Sequence, residues 1–189
     1  MAKKATTPTT IQEIEDAIIT EATAYFASMQ KRLATETTYA FLLELSAVGY
    51  AIAAAIATEE SLERFADECA EDFDDDIEAA KNSLRWGSTE DGWYQSEDKH
   101  FRSSNKLLDA AENLDLYPEY DGTLERIALQ AIQRMIDQGV FGPAAEREKL
   151  VLGICHTGGD NDEKDFLAWA AQVNSTKVMK RLKSELKKR

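Results

Sequence analysis

The feature that most restricts the fold is a change in the spacing of apolar residues near residue 35. Before it, apolar side chains recur every three or four positions, the period of one face of an α-helix. Thr10 and Glu13 stand three residues apart at the start of this stripe, which is the spacing of a helix capping box. After it, apolar side chains occupy alternate positions, the period of a β-strand. The stripe comprises Ile11, Ile14, Ile18, Ala22, Tyr25, Met29 and Leu33, and the alternating positions are Tyr39, Phe41, Leu43 and Leu45.

A second apolar run, residues 50–57, begins just after Ala47-Val48-Gly49, so the two runs are predicted to pair as a hairpin. A third strand is predicted at residues 149–157. The sequence therefore predicts the α+β class, with a small, mainly antiparallel sheet of about three strands packed with several helices on one face, behind a long N-terminal helix. Further helices are predicted within residues 58–73, 77–84, 101–114, 124–136, 161–173 and 175–189. Cys69 is expected to be a small core residue on the first of these, the helix within 124–136 is expected to end at Gly139, and residues 140–148 are expected to be a loop or a short irregular turn.

Length and composition indicate one globular domain. A chain of 189 residues, 43% apolar and 30% charged, can bury one substantial core. Residues 1–9 are predicted to form a disordered leader and residues 10–189 the single α+β domain. No apolar run approaches the ~20 residues that cross a bilayer, and no secretory signal is recognisable, so a cytoplasmic location is expected. The oligomeric state stays open, and one alternative is a scaffold in which the first helix pairs with its copy through the apolar stripe.

The charge is unevenly distributed and favours one class of partner. The net charge is −13, yet residues 175–189 hold seven Lys/Arg and one Glu (+6), which leaves 15 bases and 34 acids (−19) in residues 1–174. An acidic body repels nucleic-acid phosphates and anionic lipids, so neither nucleic acid nor membrane is expected as a partner. A basic protein partner fits better. The alternative explanation is that the charge serves only to keep the chain in solution.

The segment Val151–Asp162, “VLGICHTGGDND”, sets one of two cysteines beside one of two histidines. Neighbours on a strand point to opposite faces, so Cys155 and His156 are not expected to form a nucleophile–base pair or to share a metal ion. The two glycines that follow lack the lysine of a phosphate-binding loop. A strand ending near His156 and a helix whose cap, Asp160, pairs with Glu163 explain the segment better. We therefore expect no catalytic residue, no metal site and no cofactor.

Two groups of residues are candidates for binding a partner. Two tryptophans and a tyrosine lie beside an arginine in a polar, turn-rich segment, and these residue types dominate binding hot spots. The alternative is that the indoles fill gaps between the sheet and a helix. A run of aspartates lacks the glycine and the distal glutamate of a calcium loop, so the alternative for it is a solvated helix start. The candidate partner-binding residues are Arg85, Trp86, Trp93, Tyr94, Asp74, Asp75 and Asp76.

Four short motifs occur in a fixed order along the chain. They are “TYAFLLELSAVGYAIAAAIATEESLERFA”, “LRWGSTEDGWYQ”, “QGVFG” and “LVLGICHTGGDNDEKDF”. Their order resembles that of the bacterial domain-of-unknown-function 4303 family, and the likeness covers residues 11–186. Gly87-Ser88 stands where the family pattern often has Ser-Pro, and the second strand is richer in alanine. The resemblance implies a bacterial cytoplasmic α+β domain and supplies no catalytic residues.

Two functions are compatible with these features. We expect a non-enzymatic protein-binding module, and small acidic domains of this general kind also occur as immunity proteins that neutralise toxins. The alternative is an enzyme or a small-ligand-binding protein that uses carboxylates in a pocket between sheet and helices. A buried Asp or Glu with a raised pKa in a cleft would favour this alternative.

Overall fold

A four-stranded sheet lies at the centre of the fold. The computed structural model describes residues 9–46, 51–74, 76–111, 122–157 and 162–189. In these ranges the strands are β1 (Thr38–Leu45), β2 (Ile52–Thr58), β3 (Tyr94–Gln95) and β4 (Val151–His156). The α-helices are α1 (Ile11–Arg32), α2 (Glu59–Glu68), α3 (Ile77–Leu84), α4 (Arg102–Ala110), α5 (Thr123–Asp137), α6 (Ala144–Arg147), α7 (Glu163–Val173) and α8 (Thr176–Leu186), with 3-10 turns at Ala70–Phe73 and Asp98–His100.

The strand order is β3-β2-β1-β4, and only the β1–β4 pair among these is parallel. The predicted antiparallel pairing of the first two strands is confirmed, and its turn at residues 47–49 lies outside the described residues. The α+β class is confirmed, but the sheet is mixed and has a fourth strand, which corrects the prediction of a mainly antiparallel sheet. β3 is two residues long, too short to show alternation. β4 follows a long helical connection, which permits parallel pairing.

One face of the sheet packs against α1, α4 and α5. Phe41 of β1 contacts Phe26 of α1 edge to face, with ring centroids 5.5 Å apart. Phe141, just after α5, completes this aromatic contact at 4.9 Å from Phe26. The large side chains at the alternate positions of β1 therefore lie in the core, as predicted.

The predicted end of α5 is confirmed, since Gly139 has a φ of 74°, a left-handed conformation that closes a helix at little cost only for glycine.

The other face is covered as well, so the prediction that helices cover one face is wrong. Here α7 and α8 pack over Leu42 of β1 and Val151 of β4. The cause is visible in the strands, because the side chains that alternate with the first face are themselves apolar and need cover. Tyr39 joins this second face instead of lying with Phe41, because the β1–β2 register shifts between Thr38 and Ala40.

The long N-terminal helix forms as predicted. Its capping box is present, with the Glu13 amide donating to Thr10 Oγ1 at 3.2 Å and the Thr10 amide donating to Glu13 Oε2 at 2.8 Å. The apolar stripe is buried within the chain from Ile14 onwards, and only Ile11 at its start is exposed. Pairing of α1 with a second copy through this stripe is therefore wrong, because the chain's own core already covers it.

Side-chain amides occupy the place of a neighbouring strand at two points of the sheet. Asn174, after α7, accepts from the Leu152 amide at 3.0 Å and donates to the Leu152 carbonyl at 2.5 Å. Asn105 of α4 does the same for Ile52, at 2.7 and 3.1 Å. A buried backbone group left unpaired costs about 1–3 kcal/mol, so each amide removes a penalty that the end of the ladder would otherwise carry.

The structure corrects two smaller predictions from the sequence. Residues 140–148, predicted to be a loop or a short irregular turn, contain the four-residue helix α6. Cys69, predicted to lie in the core, is half-buried at the end of α2.

Among the helices described, none is apolar over enough residues to cross a bilayer.

Candidate functional site

The first predicted group centres on Trp86, which is 7% exposed. Its indole lies 5.5 Å from the ring of Tyr39 and 6.0 Å from that of Phe166 of α7, measured between centroids. Its Nε1 donates to Glu185 Oε2 of α8 at 3.0 Å. The indole thus fills the gap between the sheet and the last two helices, which was the alternative for this residue. We call Tyr39, Trp86, Trp93 and Phe166 the aromatic cluster.

The structure brings Arg85 and Trp93 to the same cluster. The Arg85 guanidinium lies 4.6 Å above the Tyr39 ring and forms a bidentate pair with Glu59 of α2, at 2.5 and 2.8 Å. Trp93 is half-buried, 6.1 Å from Trp86, and its buried Nε1 has no hydrogen-bond partner among the described residues. A group that is buried and unpaired is a place where a polar partner would be accommodated.

Tyr94 points away from this cluster. Its hydroxyl donates to Glu36 at 2.9 Å and accepts from Arg64 of α2 at 2.5 Å. Burial and the neighbouring Glu36 carboxylate raise the pKa of this phenol. The predicted set from Arg85 to Tyr94 is therefore divided between two environments, and its role in binding a partner stays a prediction.

The predicted acidic group lies on a different part of the molecule. Asp74 and Asp76 are exposed between the 3-10 turn and α3, and Asp75 lies outside the described residues. Asp76 also caps α3, because its Oδ1 accepts from the Ala79 amide at 3.0 Å. Beside them Ile77 is 40% exposed. We call residues 59–85 the acidic hairpin, since α2 and α3 pack against each other across the turn.

The Cys155–His156 step confirms the opposite orientation of strand neighbours. Cys155 lies in the core beneath α7 and α8, whereas His156 Nε2 lies 3.2 Å from Glu125 of α5. Burial raises the pKa of the Cys155 thiol, so this sulfur stays protonated and is a poor nucleophile. The strand-to-helix interpretation also holds, with one change. The cap of α7 is Asp162, which accepts from the Lys164 amide at 2.8 Å, and not Asp160, which lies outside the described residues.

A buried carboxyl group, Glu44, lies on β1 one residue before the strand ends. Glu44 is 3% exposed, accepts a short hydrogen bond from the Thr89 hydroxyl and a longer one, 3.4 Å, from Gln95. Burial raises the pKa of this carboxyl, and the nearby Glu90 adds to the effect. Among the described residues no three His, Cys, Asp or Glu side chains are placed to hold a metal ion.

Two pockets open on either side of this carboxyl group. One holds about 580 Å³ of empty space, part of it open to solvent, and is lined by Trp86 and Phe166 together with Thr89. The other has about 380 Å³ of empty space, also partly open to solvent, and is lined by Glu44 itself. Both lie where the parallel strands β1 and β4 have their carboxyl ends, which is where open sheets with helices on both faces place ligands.

The family described as “Domain of unknown function (DUF4303)” matches residues 14–175. The chain belongs to the DUF4303 family. The match runs from the first turn of α1 to the cap of α8, so it includes the whole sheet, the acidic hairpin and Glu44. Comparison with curated proteins and with solved structures gives no significant match. The family description carries no activity for this DUF4303 protein.

The sequence analysis missed Glu44 as a candidate. A signal was present, because Glu44 is a carboxylate on a strand position between Leu43 and Leu45, with apolar Leu42 two residues earlier on its own face. A charged residue on an otherwise apolar strand face indicates a buried polar group. The sequence alone gave no way to place Thr89, 45 residues away, beside it.

We expect Glu44→Gln to remove a pH dependence of stability from this DUF4303 protein. Because burial raises the pKa of Glu44 above its ordinary value of 4.5, the native state keeps a proton that the unfolded chain loses. The free energy of unfolding of the wild type should therefore fall as the pH rises from about 4.5 through the native pKa. Each unit by which the native pKa exceeds the ordinary value corresponds to about 1.4 kcal/mol of unfolding free energy, which is lost at pH values above the native pKa. Urea denaturation from pH 4 to pH 8 measures this.

The glutamine variant should match the wild type near pH 4 and exceed it near pH 8. Glu90→Gln is the control, because it keeps the buried carboxyl group and removes only one exposed charge that adds to its raised pKa, so most of the pH dependence should remain. A difference between Glu44→Gln and wild type that is constant with pH would contradict the prediction.

Proposed function

We propose that this DUF4303 protein is a non-enzymatic module that binds a basic protein partner through the acidic hairpin. The form of this function that we propose is an immunity protein, in a bacterial cytoplasm, that neutralises a basic toxin domain. The observation that carries the proposal is the excess of negative charge around an exposed isoleucine on this hairpin.

The acidic hairpin holds most of the net charge of the chain. Residues 59–85 contain eleven acidic and three basic residues, a net charge of −8 out of −13. All three basic side chains are already engaged. Arg64 pairs with Glu36, Lys81 with Glu78, and Arg85 with Glu59, at 3.2, 3.4 and 2.5 Å. The remaining acids therefore present an uncompensated negative surface, which accelerates and orients the association of a basic partner.

The centre of this surface is apolar. Ile77 begins α3 between the exposed Asp76 and Glu78, and its side chain is one of two large apolar side chains that are exposed in the described part of the chain. Interfaces commonly combine an apolar centre with a charged rim, the centre supplying affinity and the rim supplying specificity and rate. The hairpin has both parts, whereas the aromatic cluster is occupied by packing within the chain.

The test begins with native mass spectrometry of the protein purified gently from its own host, which identifies a stoichiometric companion. Asp72→Lys combined with Asp74→Lys should then weaken the affinity for that companion by about tenfold or more, mainly through slower association, and should reduce the salt dependence. These two positions are chosen because neither side chain accepts a capping hydrogen bond among the described residues, although Asp74 ends the 3-10 turn through its backbone with a φ of 53°. Biolayer interferometry at several salt concentrations measures both effects.

The matched control carries Asp109→Lys and Asp165→Lys, the same charge change on α4 and α7. It should keep at least half of the wild-type association rate if the hairpin is the docking surface. Equal weakening by the two double variants would show that only net charge matters. A companion that binds the Asp72→Lys, Asp74→Lys variant unchanged would overturn the proposal.

A further inference from the structure

The pocket that Glu44 lines is built around this residue and the small Ala53 beside it. In the sheet register Glu44 stands opposite Ala53 of β2 and Cys155 of β4. A larger side chain at Ala53 would fill space in this pocket, whereas Cys155 lines the other pocket. The alanine side of this arrangement opens into the pocket of about 380 Å³, for which we use the name Glu44 pocket.

The carboxyl group of Glu44 has one oxygen in use and one available. The hydrogen bonds from Thr89 and Gln95 both end on Oε1. No donor among the described residues reaches Oε2, although the residue is more than nine-tenths buried and lines the Glu44 pocket. A carboxylate has about four acceptor positions, and Oε2 is not one of the fully buried atoms that lack a partner, so it remains accessible from the pocket and keeps its acceptor capacity. It is the kind of group that a ligand donor satisfies.

The rest of the Glu44 pocket favours a positive ligand. Two further carboxyl groups, Glu97 and Asp98, line it, and no lysine or arginine does so among the described residues. Lys99 pairs with Glu97 at 2.9 Å, which leaves Asp98 and Glu44 without a cationic neighbour in the lining. Hydroxyl acceptors and an apolar wall complete it, contributed by Ser46, Ser96, Thr157, Ile52 and Phe101.

We infer that the Glu44 pocket binds a small organic cation through a primary ammonium group that donates to Glu44 Oε2. An ammonium group has three donors, which match one carboxylate oxygen and the surrounding hydroxyl groups. The described residues supply too few clustered ligands for a metal ion, as noted above, and the apolar wall of Phe101 suits a short alkyl chain. This inference is independent of the acidic hairpin, which is a separate surface.

The experiment titrates the full chain with n-butylammonium chloride at pH 7.5, followed by two-dimensional NMR. Shifts should be concentrated on the amides of β1, β2 and the turn Asp98–His100. Sodium butyrate, which has the same alkyl length and the opposite charge, should produce none of them. Glu44→Gln should weaken binding about tenfold or more, the usual effect of removing a charged hydrogen-bond acceptor.

A second variant keeps the carboxyl group and removes the space. Ala53→Leu should abolish binding, because the added side chain extends from the β2 position beside Glu44 into the pocket. Glu90→Gln is the control, since Glu90 does not line the pocket, and its affinity should stay within about twofold of the wild type. If n-butylammonium binds Glu44→Gln and Ala53→Leu as tightly as the wild type, or produces no localised shifts at all, the inference is wrong. Either result would leave the partner test of the acidic hairpin unaffected.

Discussion

Trp86→Ala should lower the free energy of unfolding by about 3–5 kcal/mol, the largest loss that we expect from any single change in the aromatic cluster. The indole is in contact with Tyr39, Trp93 and Phe166 and joins the sheet to α7 and α8. Its removal leaves a cavity between elements that cannot close on each other without moving the sheet. Urea denaturation followed by far-ultraviolet circular dichroism measures the loss.

Trp86→Phe separates packing from hydrogen bonding. Phenylalanine keeps an aromatic ring in the gap but loses the 3.0 Å bond to Glu185, so its cost should be smaller, about 1–2 kcal/mol. If Trp86→Ala unfolds the protein no more readily than Trp86→Phe, the ring does not carry the packing assigned to it. The result also bears on function, since any loss of partner binding by Trp86→Ala must be compared at equal folded fraction.

Gly92→Ala should lower the free energy of unfolding by about 2–5 kcal/mol. Gly92 has a φ of 81°, and a Cβ added there would lie 2.6 Å from the Cβ of Phe65 on α2 and 2.9 Å from its Cγ. Both atoms are close to the α2 backbone and cannot turn away, so the substitution forces the segment before β3 off the acidic hairpin. Thermal denaturation measures the effect.

Gly139→Ala is the matched control for this prediction. Gly139 has a similar φ of 74°, but a Cβ there would meet no described atom within 4 Å. Gly139→Ala should therefore lower the free energy of unfolding by only about 1 kcal/mol, the cost of holding alanine in a left-handed conformation. Equal losses for the two variants would mean that the contact with Phe65 is relieved by local movement and that only the backbone conformation matters.

The periodic elements could be read from the sequence because their signals are local. The stripe of α1, the box at Thr10 and the glycine that ends α5 each depend on residues within one or two turns. The mixed sheet could not be read in this way. Whether β4 lies parallel or antiparallel to β1 depends on the path of about a hundred intervening residues, and alternation is the same in both cases.

The candidate site also divides into features that the sequence predicts and features that depend on contacts between distant residues. Sequence reasoning found the aromatic residues but could not decide whether Trp86 faces solvent or the core, because a turn-rich segment is compatible with both. It named the aspartates beside α3, whose exposure follows from their charge. It missed Glu44, although a carboxylate on an apolar strand face was a signal, and it could not place Thr89 and Ala53 beside it because those residues are distant in the sequence.

The amide of Asn174 has a consequence for how this protein meets other chains. By occupying the hydrogen-bonding groups of Leu152, it denies an incoming extended peptide the backbone contacts needed to extend the sheet at that point of β4. Self-templated stacking, the route by which exposed strands nucleate fibrils, is blocked there by the same side chain. Recognition at that edge must depend on side-chain chemistry, which is selective for particular partners, and not on the generic backbone, which every polypeptide shares.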